Sequence, residues 1–378
     1  MHILIAPDSF KDALSASDAA HAIACGIRRA APDATLTHCP MGDGGEGTLD
    51  ALLDATGAER REQTVQDALG APCQATWGWH AETRSAFIEL AEASGLQQIP
   101  RDQRSALHST THGVGELILA ALDAGAETLL LTLGGSATND AGAGMLEALG
   151  ARLLDAEGAP LAPGGAALAN LQSLDLSGLD PRLAQLRVEA AVDVDNPLLG
   201  ERGASAVFGP QKGASDADVA TLDAALAHFA DCAAAVLGDD HRDLPGAGAA
   251  GGMGFAARAF FGASLRPGID MVMEQVDFDA RLADADLVIT GEGQLDDQSL
   301  SGKTPVGIAR RAAASGVPCV ALVGRLGEGW QACHAEGINA AFALADGPMP
   351  LDEALARCAE LLGDRAESIV RLYSAASS

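Results

Sequence analysis

Residues 63–90 interrupt a rhythm that governs the rest of the chain. Before them, apolar runs that read as buried strands alternate with helix-periodic segments. "HILIA" (2–6) is followed by "SASDAAHAIACGIRRA" (15–30), a helix with Ser15 or Ser17 as its cap. "ATLTHC" (34–39) is followed by "MGDGGEGTLDALLDATG" (41–57), a Gly-rich loop entering a helix that stops at Gly57. Within the interruption, "QTVQD", "CQATWGWH" and "SAFIELA" succeed one another with turns and no helix between them, which predicts an antiparallel meander. A helix near 112–124, the strand "TLLLTL" (128–133), a strand in "LRVEAAVDVDNPLLG" (186–200) and an Ala-rich helix near 216–237 come next. From about 285 the first rhythm returns, with "ADLVIT", a helix near 304–315, "PCVALVG" (318–324), a helix, "INAAFAL" and a terminal helix from about 351.

The pattern predicts an α/β fold of two α/β domains. Both chain ends, 1–62 plus 286–378, form an outer domain, and a mixed α/β domain, 63–285, is inserted between them. Two consecutive domains splitting near 150–185 are the alternative. A length of 378 residues suits two cores better than one.

Composition narrows the function. A net charge of −28 argues against nucleic acid and anionic membrane as partners and predicts a soluble protein. The opening "MHILIAPDSF" has neither a basic stretch nor a small-residue cleavage site, and no uninterrupted apolar run is of bilayer length, so a cytoplasmic protein is expected. Seven scattered cysteines without a C-x-x-C fit reduced thiols. The 44 glycines cluster in short runs, as they do where backbone approaches a ligand. Only three lysines accompany 21 arginines, and all three, Lys11, Lys212 and Lys303, stand in polar or Gly-rich loop text. A compact ammonium suits phosphate or carboxylate as a point charge.

Two motifs are decoys. "GEGQLDDQSLSGKTP" (291–305) ends like a P-loop, but Asp297 stands where G-x-x-x-x-G-K-[ST] requires glycine. Carboxylates in such a loop repel phosphate unless a cation intervenes, so Glu292 and Asp296 are expected to manage Mg²⁺ or a hydroxyl while Lys303 supplies positive charge. "GAGAAG" (246–251) matches a dinucleotide fingerprint by letter, yet "GDDHRDLP" precedes it where a strand is needed. Gly251 and Gly252 instead read as a Gly-rich helix entry able to approach a nucleotide closely.

Other motifs have better context. In "LGGSATNDAGAGM" a strand ends, Gly134 and Gly135 turn the chain, and Ser136, Thr138, Asn139 and Asp140 lead into a helix, an arrangement that suits a phosphate. "AAVDVDNPLLG" sets Asp193 and Asp195 at a strand end on one face, which suits Mg²⁺ or a general base. "GPQKGAS" supplies Lys212, "APDSFKDALSA" supplies Asp8, Ser9 and Lys11, and "MGDGGEGT" supplies Asp43 and Glu46.

Taken together and in order, "APDSFKDALSA", "MGDGGEGT", "LGGSATNDAGAGM", "DVDNPLLG", "VFGPQKGA", "GAAGGMG" and "DLVITGEGQLDDQSLSGKTPVG" resemble the bacterial glycerate kinase family, the type that includes glycerate 2-kinases. They cover nearly the whole chain. One departure is Gly42, where the family usually has Ala, and it changes no functional group. The resemblance implies ATP-dependent, Mg²⁺-assisted phosphorylation of D-glycerate to 2-phosphoglycerate, with no nucleic-acid or membrane partner, in a monomer or homodimer. It also implies a discontinuous Rossmann-like or flavodoxin-like outer domain, not a P-loop fold, with the active site in the cleft between the domains.

The roles expected on that basis are these. Gly134, Gly135, Ser136, Thr138, Asn139 and Asp140, with Gly251 and Gly252, bind the nucleotide. Lys11 and Lys212 face the transferred phosphoryl group or the glycerate carboxylate. Asp195 or Asp193 orients the attacking hydroxyl. Asp193 and Glu292 are the metal candidates. Asp8, Ser9, Asp43, Glu46, Asp296 and Lys303 line the substrate site. The rivals are a nicotinamide-dependent dehydrogenase and a non-catalytic sugar-acid-binding protein.

Overall fold

The structure is a computed structural model and describes residues 1–376. Its strands, in chain order, are β1 (His2–Pro7), β2 (Thr35–His38), β3 (Glu59–Gln66), β4 (Pro72–His80), β5 (Ser85–Glu89), β6 (Thr128–Thr132), β7 (Arg152–Leu154), β8 (Ser173–Asp175), β9 (Arg187–Ala191), β10 (Ser264–Arg266), β11 (Leu287–Leu295), β12 (Cys319–Leu326) and β13 (Ile338–Ala343). The chain divides into two compact units. One comprises Met1–Asp43, Asp50–Gly57 and the chain from Ile269 onward; the other comprises Gly44–Leu49 and Ala58–Gly268. Apart from the short excursion Gly44–Leu49, the divisions fall at 57/58 and 268/269 rather than near 63 and 285. β3 pairs with β4 over its whole length, from Glu59↔Trp79 to Gln66↔Pro72, which draws the chain into the second unit earlier than its composition suggests.

The first unit is built on a five-stranded, wholly parallel sheet in the order β13-β12-β11-β1-β2. Counted within the unit, that is the doubly wound order 2-1-3-4-5, whose direction of winding reverses between β1 and β11. Buried Ile3, Ile5, Leu287, Ile289 and Leu322 pack on Ile23 and Ile27 of the helix Ala16–Ala30 and on Leu361, Leu362 and Val370 of the helix Cys358–Ala376. Ser15 caps the first of these helices by accepting from the Asp18 amide at 3.1 Å. Strands buried on both faces read as continuous apolar runs, which is why this sheet was legible.

The second unit holds a six-stranded mixed sheet in the order β10-β9-β6-β5-β4-β3, antiparallel from β3 to β5 and parallel from β5 to β10. The register aligns Glu89 with Thr132 and Thr132 with Ala191, so the carboxyl ends of β5, β6 and β9 stand side by side. Everything that leaves those three ends therefore shares one edge of the sheet. The core is largely Ala, Val and Leu, with Phe229 and Phe255 meeting edge to face at 6.1 Å between ring centroids. The helix Asp216–Leu237 is long and apolar enough, by length and composition, to cross a membrane. It carries Asp216, Asp218, Asp223 and Asp231, begins in a Ser215–Asp218 capping box, and buries Leu222, Leu226 and Phe229 in this core.

Several details depart from the sequence reading. β11 does not stop at Thr290 but runs to Leu295, so Glu292 lies inside a strand and not in a loop. Gly291 serves close packing instead: a Cβ there would stand 2.2 Å from the Leu322 carbonyl oxygen. The expected helix before β13 is a 3-10 segment, Trp330–Glu336. The terminal helix is two, Leu351–Ala356 and Cys358–Ala376.

Candidate active site

In doubly wound sheets ligands bind beyond the carboxyl ends of the strands, at the reversal of winding. In the first unit that point lies between β1 and β11, and the sequence candidates of this unit gather there. Asp8 follows β1 directly, with its amide on the Gly291 carbonyl at 2.8 Å. Its carboxylate accepts from the Thr304 hydroxyl and from the Ser9 amide, both at 2.6 Å. Burial, with Asp43 beside it, raises the Asp8 carboxyl well above the usual carboxylate range, against those two hydrogen bonds.

Glu292 accepts from the Ser299 hydroxyl at 2.9 Å and pairs with Lys303 Nζ at 3.8 Å. Burial pushes its carboxyl up to about 7; Lys303 and Ser299 pull it down, while Asp43 and Asp296 add to the rise. Asp296 caps the 3-10 turn Asp297–Ser301 by accepting from the Gln298 amide at 3.0 Å, and also takes the Gln294 amide group at 2.5 Å. Burial works against its charge, but Gln294, Lys303 and the Gln298 and Ser299 amides together outweigh burial and hold it below the usual range. Lys11 is exposed, and its backbone runs beside Gly293 of β11, where a Cβ would lie 3.7 Å from its amide nitrogen.

The unit thus assembles Asp8, Asp43, Glu292 and Asp296 with Lys303, and sets Ser9 and Lys11 beside them. Thr304 was missed. Its letter was visible as the end of "GKT", but its role depends on β1 and β11 lying side by side.

In the second unit the loop Gly134–Asp140 leaves β6. The Gly134 amide donates to the Gly44 carbonyl at 3.1 Å, and Gly135 is the exposed tip. Beyond Ser136 the loop turns inward, and Thr138, Asn139 and Asp140 are fully buried. Asp140 braces the loop: it accepts from the amide and hydroxyl of Thr111 at 2.8 and 2.9 Å and from the amides of Gly142 and Gly144, both at 3.2 Å. Burial raises its carboxyl despite these partners. Asn139 donates to the Ser205 hydroxyl at 2.9 Å, while its Oδ1 and the Thr138 hydroxyl are buried without a partner among the described residues.

Lys212 differs from the expectation of a lysine in open loop text. It is 1% exposed, and its Nζ donates to the Ser136 hydroxyl and to the Thr138 carbonyl, both at 2.7 Å. Burial pulls the ammonium down to about 7, with Asp140 opposing. Gly251 and Gly252 also pack on this loop. Ala250, Gly251 and Gly252 have φ of 52°, 68° and 93°, and a Cβ on Gly251 would stand 2.0 Å from the Thr138 carbonyl oxygen. The Gly251 carbonyl accepts from the Ala141 amide at 2.9 Å. These glycines admit one loop against another, and no strand precedes 246–251, so the dinucleotide resemblance of "GAGAAG" ends at its letters.

Asp193 and Asp195 lie beyond the end of β9 at Ala191, so the shared strand face inferred for them is absent. Their carboxylates take different partners: Asp193 accepts from the Gly268 amide at 3.0 Å, while Asp195 is 76% exposed and pairs with Arg202 at 2.8 Å. Glu46 accepts from the Gln97 side-chain amide at 2.5 Å. Glu89, at the end of β5, accepts from the Gly47 and Leu49 amides at 3.2 and 3.0 Å and occupies the start of the helix Thr48–Thr56. Its sequence signal is a charge closing the apolar run "SAFIE", and the sequence reading passed over it.

Mg²⁺ is commonly held by one or two carboxylates together with substrate phosphates. Among the described residues no three His, Cys, Asp or Glu side chains form a ready metal cage. The crowded hard-oxygen donors Asp8, Asp43 and Glu292, each opposing the charge of another, fit such a shared ion.

Comparison with known proteins gives concordant results. The model of the glycerate kinase family matches residues 3–374. A glycerate kinase of Bacillus subtilis (strain 168) is 50% identical over 369 residues, covering 98% of this chain and 97% of the relative. A glycerate 2-kinase of Escherichia coli (strain K12) is 47% identical over 354 residues, covering 94% and 93%. A crystal structure of a candidate glycerate kinase 2 from Salmonella typhimurium LT2 superposes with a TM-score of 0.90 at 47% identity, covering 100% of this chain and 99% of the other.

Proposed function

The chain belongs to the glycerate kinase family, and from that premise we propose that it transfers the γ-phosphoryl group of ATP to the 2-hydroxyl of D-glycerate, giving 2-phosphoglycerate and ADP. The observation that carries the reading is the cluster at the winding reversal, where Asp8, Asp43 and Glu292 meet Lys303 beside Lys11. Phosphoryl transfer asks a protein for positioning and charge neutralisation more than for covalent chemistry. A chain of net charge −28 must supply that neutralisation locally, because both substrates are anions. The Escherichia coli relative's name supports the 2-position.

The roles follow the geometry of each unit. In the first, Lys11 and Lys303 receive the negative charge of the transferring group or of the glycerate carboxylate. Glu292, with Asp8 and Asp43 near it, would hold Mg²⁺, which when bound neutralises phosphate charge. Thr304 and Ser9 fix the Asp8 carboxylate, and Ser299 fixes Glu292. In the second, the tip of the Gly134–Asp140 loop meets the nucleotide phosphates, braced from within by Asp140. Asp193, with one oxygen on the Gly268 amide, orients the attacking hydroxyl in preference to Asp195, whose carboxylate is turned to Arg202. The seven cysteines, all free thiols, fit a cytoplasmic setting.

The reading is tested by ADP release from ATP plus D-glycerate. Release that depends on both supports it. Glycerate binding without ADP release would make the protein a non-catalytic binder, and NAD binding would return the dehydrogenase.

A further inference from the structure

The Ser136 hydroxyl takes part in one hydrogen bond among the described residues, and there it is the acceptor, from Lys212 Nζ at 2.7 Å. A hydroxyl that accepts from an ammonium must send its own hydrogen elsewhere. No acceptor among the described residues takes it, although Ser136 is only 7% exposed. The next residue toward the loop tip, Gly135, is exposed. Lys212 itself is enclosed, its charge divided between the Ser136 oxygen and the Thr138 carbonyl at 2.7 Å. Two bonds leave the ammonium a third N–H, but at 1% exposure a direct contact between it and a phosphate would require opening the loop that Asp140 braces. The opposite arrangement needs no rearrangement: the buried charge polarises the hydroxyl, and the hydroxyl makes the contact.

We infer that Ser136 is the direct hydrogen-bond donor to an anionic oxygen of the substrate, and that Lys212 is a positioning residue that orients and polarises it from within. This rests on the reading of the Gly134–Asp140 loop as the nucleotide site and deepens it, because it replaces an expected lysine–phosphate contact with a lysine–serine relay. Hydrogen bonds to charged groups are roughly twice as strong as neutral ones, and an ammonium behind the hydroxyl adds to that.

The test is a double-mutant cycle on the full chain, with Ser136→Ala, Lys212→Met and the double variant. kcat, KM for ATP and KM for D-glycerate are measured on each, and thermal unfolding confirms that each is folded. Two residues that act as one unit give non-additive losses. The expected result is a rise of about tenfold or more in KM for ATP in each single variant, with the double variant no worse than the more affected single one, as loss of a charge-assisted hydrogen bond predicts. Multiplying losses, or a fall in kcat of about 100-fold in Lys212→Met alone, would show an independent lysine contact and overturn the relay. Non-additive losses confined to KM for D-glycerate would keep the relay and overturn the nucleotide assignment of the loop. Should Lys212→Met not fold, Ser136→Ala decides by itself, since unchanged KM values for both substrates would remove Ser136 as a donor.

Discussion

Glu147 carries a pH dependence that isolates one half-buried acid. Burial, with Asp140 nearby, pushes its carboxyl up to about 7 from an ordinary value of 4.5. The folded chain therefore holds this proton at pH values where the unfolded chain releases it. The contribution to stability is fully present below about 4.5 and is lost as the pH rises through about 7. Glu147→Gln is expected to leave stability nearly unchanged at about pH 4 and to raise it at about pH 8 by up to about 2 kcal/mol, allowing for partial solvent screening; chemical denaturation at the two pH values measures this. At the same scale, Asp193→Asn should cut turnover by about 100-fold or more while ATP still binds, and Asp195→Asn should cost less than about threefold. Kinetics of the two variants check this, and the reverse order would restore Asp195 as the group that orients the hydroxyl. Sequence set these two acids as equals because alternation along a strand places i and i+2 together. The strand stops at Ala191, two residues too early for that argument to apply.

At the scale of elements, the Gly134–Asp140 loop is held by the kinked entry of the helix Ala249–Phe261. A Cβ at Gly251 meets the Thr138 carbonyl oxygen at 2.0 Å and also strains a φ of 68°, whereas Gly262, with φ of 62°, has nothing within 4 Å of a Cβ. Gly262→Ala should therefore cost only the backbone strain, about 1 kcal/mol. Gly251→Ala should cost about 3 kcal/mol or more and also weaken ATP binding, because relief of the clash displaces the loop. Thermal melts and nucleotide titration of the pair separate strain from steric contact. The glycine clusters were visible in the sequence, but whether glycine faces a ligand or another stretch of backbone is a tertiary fact. Gly251 and Gly291 face backbone, and Gly252 faces Ala141 and the Leu198 side chain. Lys212 taught the same lesson in reverse: its loop-like text gave no sign of a fully enclosed side chain.

For the whole molecule, the alternation of strand and helix was legible because parallel strands are buried on both faces and meanders are not interrupted by helices. What the alternation could not give is convergence across sequence. Asp8 and the Thr304 hydroxyl that fixes it are 296 positions apart, and they meet because β1 and β11 are neighbours at the winding reversal. That reversal is where "SGKTP" stands without being a P-loop: its threonine and lysine serve the carboxylates of Asp8 and Glu292, and the sheet's topology supplies the position. The central claim is phosphorylation of the 2-hydroxyl, and the most direct measurement is the fate of the product under enolase, which acts on 2-phosphoglycerate and not on 3-phosphoglycerate. After incubation with ATP, Mg²⁺ and D-glycerate, the account predicts that enolase alone converts the product to phosphoenolpyruvate. Conversion only after addition of phosphoglycerate mutase, or no phosphorylated product at all, would contradict it.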